Sequence, residues 1–178
     1  MEINITLIMK TDFTWSSALG ISSISFISIA VIYILIGVAG MIIIWKFGSG
    51  NVSEQYYFGK KVDELFFQKS TAQLNDELPQ FSKYISYVMI AFCSFMVTAG
   101  VLQFGVARFA LIEGYQWAYW TSVISNFVML LVYWFVIIIP VINHYKVSYF
   151  DTWHPYAFIP TLLLPVAAIA GAIGIFGK

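Results

Sequence analysis

His144, Asp151 and His154 are the residues of this chain whose types and spacing come closest to metal chemistry. Imidazole and carboxylate groups bind Zn or Cu, and Asp151-Thr152-Trp153-His154 sets an acid and an imidazole one helical turn apart. The same short loop carries Tyr145, Tyr149 and Trp153, whose rings suit a quinone or a lipid headgroup. A metal ion or a quinone held here, at the inner interface, is one expectation. Solvent-facing histidines at a membrane boundary, binding nothing, are its plain counterpart.

Arg108 and Glu113 form a second candidate, an interfacial ion pair at the end of an apolar stretch. Ionisable groups drawn into a bilayer are costly and mark function by default, whereas an arginine at a helix end can simply snorkel to water. Such a pair could gate the outer vestibule of a small channel or carrier. Gln103, Gln116 and Asn126 fall toward the same side. A third candidate is a packing face: Ala167 with Gly171, and Ala170 with Gly174, put small residues four apart. That spacing lets helix backbones approach closely within a membrane. It serves either this chain's own helices or another subunit. No Ser/His pairing, paired carboxylates or Gly-rich phosphate loop accompanies these residues, so no catalytic assignment is made.

The elements that must position these groups are four apolar stretches, at residues 21–45, 84–107, 119–141 and 157–176. Each is long enough to cross a bilayer, which takes about 20 mainly apolar residues. None contains Asp, Glu, Lys, Arg or His. The whole chain of 178 residues is 60% hydrophobic and 10% charged. Soluble domains carry roughly a quarter charged residues, so this is a membrane composition. Zero formal net charge offers no footing for nucleic acid. Cys93, the single cysteine, excludes a disulfide within the chain.

The empty spans also bound the chemistry. Haem ligation inside the bundle needs a histidine within a span, and a retinal Schiff base needs a lysine there. A proton path needs polar groups across the bilayer, where the midspan positions offer only Ser, Thr and Cys93. The first apolar stretch is too long for a signal-peptide core and has no basic run directly before it, which predicts a retained span.

Residues 52–74 are the polar exception. Tyr57, Phe58, Val62, Leu65 and Phe66 recur at helical intervals among charged residues, which predicts one amphipathic interfacial helix. Asn51 with Glu54 has the spacing of its N-terminal cap, and Pro79 its terminator. Pro140 is expected to end the third span, and Pro165 to kink the fourth. The two loops around 46–83 and 142–156 carry six lysines, against Lys10, Arg108 and Lys178 on the other side. The positive-inside rule then puts both loops in the cytoplasm and both termini outside the cell membrane.

The expectation is an all-α polytopic membrane protein, one domain of four transmembrane helices with a cytoplasmic amphipathic helix between the first and second. Functionally it reads as a non-catalytic accessory subunit with no cofactor of its own. Its partners would be other integral membrane subunits and lipids, in a respiratory or redox complex such as a terminal oxidase or membrane oxygenase.

Overall fold

Hydrocarbon offers no hydrogen bonds, so a spanning backbone must satisfy its own N–H and C=O groups, and a helix does so within one segment. The computed structural model describes residues 14–48, 59–152 and 155–177, and no strand occurs among them. Four helices are long and apolar enough to cross a membrane.

Helix α1 runs from Ala18 to Phe47. The Ser17 Oγ caps it by accepting from the Gly20 N–H at 3.1 Å, and Gly48, at φ 80°, stops it. Helix α2 (Lys60–Phe67) and helix α3 (Thr71–Glu77) follow. Helix α4 (Pro79–Gly105) opens with its proline in the first turn and continues into a π-helical segment, Val106–Leu111. Gly114, at φ 80°, reverses the chain into α5 (Gln116–Leu131). A second π segment (Val132–Ile138) joins α5 to α6 (Ile139–Tyr145), and after a short 3-10 turn comes α7 (Pro155–Phe176).

Two sequence expectations change here. The single helix over 52–74 is, in its described part, two short helices separated at Gln68, which is left-handed at φ 54°. The physical reason is a stronger cap. Ser70 Oγ accepts from the Gln73 N–H while Gln73 Oε1 accepts from the Ser70 N–H, so a new helix starts there. The cap expected at Asn51 lies outside the described residues. Pro79 follows directly on the end of α3, as expected, and also starts α4, because a first-turn proline sacrifices no helix bond. Pro140, the second change, does not end the third span. The π segment before it rewires the backbone, with the Ile139 N–H reaching the Trp134 C=O, and the helix passes through the proline.

The four long helices pack as an open arc. α1 is central and packs along both α4 and α7, while α5 touches α7 and the π segment after α4. Beyond that π segment, α4 and α5 hardly touch. The buried core, including Phe26, Ile29, Leu111 and Ala167, therefore sits around α1.

Candidate functional site

The small-residue face of α7 faces inward. A Cβ on Gly171 would lie 2.6 Å from Ser22 Oγ and 2.7 Å from the Tyr119 ring. One on Gly174 would lie 2.7 Å from the Leu19 backbone N. Ala167 is fully buried, and Ala170 is half-buried beside this seam. Close approach brings two side-chain donors onto α7 carbonyls: Ser22 Oγ to Ala167 at 2.7 Å and Tyr119 OH to Ala168 at 3.0 Å. α1 and α4 meet through a similar seam, where Gly37 faces the Cys93 carbonyl and Gly100 faces that of Ala30.

Near the same end of the bundle, Asn126 Nδ2 donates to Gln103 Oε1 at 3.2 Å and to the Ser122 carbonyl at 2.8 Å. Gln103 Nε2, Ser122 Oγ and Ser23 Oγ are buried without hydrogen-bond partners. Gln103 and Asn126 stand almost equidistant from Gly114, and hairpin register was the signal that could have paired them.

Arg108 and Glu113 are not brought together. Both are exposed, and neither takes part in a described ion pair such as Lys61–Asp151 or Lys69–Glu77. The Arg108 guanidinium lies instead over the neighbouring Phe109 ring, 5.7 Å from its centre.

At the opposite end, Lys61 Nζ meets Asp151 Oδ2 at 2.9 Å, and Phe66 packs against Tyr145 with ring centres 6.3 Å apart. These contacts place α2 beside the end of α6 and the 3-10 turn at Tyr149–Asp151, at one end of the bundle. Asp151 also accepts from the Ser148 N–H at 2.9 Å. The Lys61 hydrogen bond first, and then that backbone bond, hold its carboxyl below the ordinary aspartate range. Burial pushes the Tyr149 phenol up, against a smaller opposing effect of its hydrogen bond with Tyr133. His144 is exposed, its ring edge-on to Tyr145 at 4.7 Å. His154 lies outside the described residues, and among those described no group of three His, Cys, Asp or Glu side chains could hold a metal.

A depressed carboxyl pKa means the Lys61–Asp151 link stabilises the fold above the unfolded-state pKa and is lost as pH falls through the lower, folded value. Docking of α2 is therefore expected to persist through neutral and mildly acidic pH. Asp151→Asn is expected to raise amide exchange across Lys60–Phe67 roughly two- to five-fold, the scale of an exposed ion pair. Equal exchange in both proteins at neutral pH would remove this link from the account.

Between α4 and α5 lies a cavity of about 410 Å³, walled by Phe92, Phe95 and Met96 on one side and Met129 and Tyr133 on the other. Tyr33 of α1 forms part of its wall. Comparison with known proteins returns no match to this chain, whether a family model, a curated protein or a solved structure.

Proposed function

We propose that this protein is a non-catalytic accessory subunit of a larger integral membrane assembly, with other membrane subunits and lipids as partners. The setting we favour is a respiratory or redox complex such as a terminal oxidase or membrane oxygenase. One observation carries the reading: the outward face of α4 is built for a helix that none of the described residues of this chain supplies. Ala91, Ser94 and Thr98 are exposed there, and a Cβ on Gly105 would meet nothing within 4 Å. Residues 91, 98 and 105 recur at heptad spacing, so they lie along one stripe. Gly37, Gly100, Gly171 and Gly174 each sit directly under a neighbouring helix, whereas Gly105 has no such use. A glycine within a helix costs about 1 kcal/mol relative to alanine, and close backbone packing of a second helix offsets that. Spans with no Asp, Glu, Lys, Arg or His within the four apolar stretches favour scaffolding over transport.

The lysine-bearing end, with Lys46, Lys60, Lys61, Lys69, Lys83 and Lys146, is taken as cytoplasmic, leaving both termini outside. α2 then lies at the inner interface, where its exposed Leu65 and Phe66 can enter the headgroup region.

Gentle detergent extraction from native membranes tests the assignment. The chain is expected to co-migrate with other membrane subunits and with the visible absorbance of their redox groups. Thr98→Trp should release the chain from that assembly while leaving its own helicity and monodispersity unchanged. Migration of the unmodified chain alone, or only with copies of itself, would overturn the reading.

A further inference from the structure

The cleft between α4 and α5 is a consequence of how the arc is built. The two helices leave the Gly114 turn together, joined through the π segment, and then follow different neighbours, α4 along α1 and α5 along α7. The gap that opens is mostly apolar, and it opens sideways: Phe95 is 72% exposed and Val132 43% exposed at its edge. In a bilayer such a gap is reached from the lipid and not from water.

Acyl chains alone do not explain its wall. Tyr33 is only 5% exposed, and its hydroxyl has no hydrogen-bond partner. It falls midway along α1, the depth at which hydrocarbon offers nothing to bond with. Leaving a hydroxyl unsatisfied there costs roughly 2–7 kcal/mol. A phenylalanine would fill the same space without that penalty. Phospholipid carbonyls lie at the edge of the hydrocarbon core, roughly 15 Å from its centre, and do not reach. The occupant that satisfies Tyr33 brings its own oxygen to midbilayer. Phe92, Phe95 and Tyr133 offer ring faces and edges, and Met96 and Met129 offer polarizable thioethers that pack against rings.

We propose that this cleft binds a lipid-soluble ligand of the quinone class: a flat ring, entering between α4 and α5 from the membrane, with a ring oxygen that accepts a hydrogen bond from Tyr33 once the side chains sealing that hydroxyl move aside. This location is separate from the His144, Asp151 and His154 loop, and from the α4 stripe at Ala91, Thr98 and Gly105. That stripe lies roughly a quarter turn around the helix from Phe92 and Ala99. Ligand binding therefore does not depend on the accessory-subunit reading.

The test uses the full chain in lipid nanodiscs and decylubiquinone as probe, with decylbenzene, which has the apolar ring and tail without oxygens, as comparison. Saturable binding of decylubiquinone is expected, with decylbenzene at least tenfold weaker. Tyr33→Phe should weaken decylubiquinone roughly tenfold, the loss of one hydrogen bond, and leave decylbenzene unchanged. Ala99→Trp, which fills the cleft from its half-open side, should abolish binding of both; circular dichroism checks that each variant remains helical. Absence of saturable binding would overturn the proposal. So would equal binding of the two probes, or decylubiquinone binding that Tyr33→Phe and Ala99→Trp leave intact.

Discussion

Replacing Gly174 by leucine is expected to destabilise the bundle by about 1–3 kcal/mol, the usual penalty for overfilling a close-packed site. The obstacle is backbone. A Cβ at 174 would sit 2.7 Å from the Leu19 N and 2.9 Å from its Cα, and neither atom can rotate away. α7 must then move off α1. That movement lengthens the Ser22–Ala167 hydrogen bond, which joins the same two helices. Gly105→Leu is the matched control, because its Cβ enters open space. The isolated chain should lose no stability from that change, and the better helix propensity of leucine should favour it slightly. In the proposed assembly, however, the same leucine should displace the partner helix. Reversible unfolding in mixed micelles, followed by circular dichroism, measures both. A Gly174→Leu protein as stable as its parent would mean that α1 and α7 do not approach as described.

The comparison separates what a sequence can report from what it cannot. The four spans were legible because hydrophobicity adds along a segment. Their ends were not. Helix hydrogen bonding continues past the apolar stretch until a breaker stops it, so α4 reaches back to Pro79 and α1 forward to Gly48. Pro140 was misleading for the opposite reason: a π segment can absorb a proline that an α-helix cannot. The small-residue face of α7 was legible as a face, but its partner was not, since Ala167 and Gly174 look the same whether α1 or another protein covers them.

Polar groups were the hardest to read. Asp151 is a candidate metal ligand by residue type alone; its carboxylate meets Lys61, 90 residues away in the chain, and no local pattern announces that pairing. Arg108 and Glu113 are near in sequence, yet both stay exposed and form no described ion pair with each other. Tyr33 carried no signal as one aromatic among many. Only the splay of α4 from α5 gives its hydroxyl significance.

Asn126→Leu is expected to cost about 1–2 kcal/mol, and the sign of a second substitution tests why. Asn126 is nearly fully buried, and its Nδ2 serves both Gln103 Oε1 and the Ser122 carbonyl. Leucine leaves the entire Gln103 amide without a partner, because Gln103 Nε2 already lacks one. An isolated amide in hydrocarbon is the expensive outcome, more so than the lost bond itself, which in membrane helices averages about 0.6 kcal/mol. Gln103→Leu alone should be milder, since Asn126 keeps the Ser122 carbonyl. Gln103→Leu added to Asn126→Leu should recover most of the loss, because it removes the stranded amide and puts two apolar side chains in contact. Additive losses in the double variant would instead locate the cost in packing around α5 and exclude a polar bridge across the hairpin.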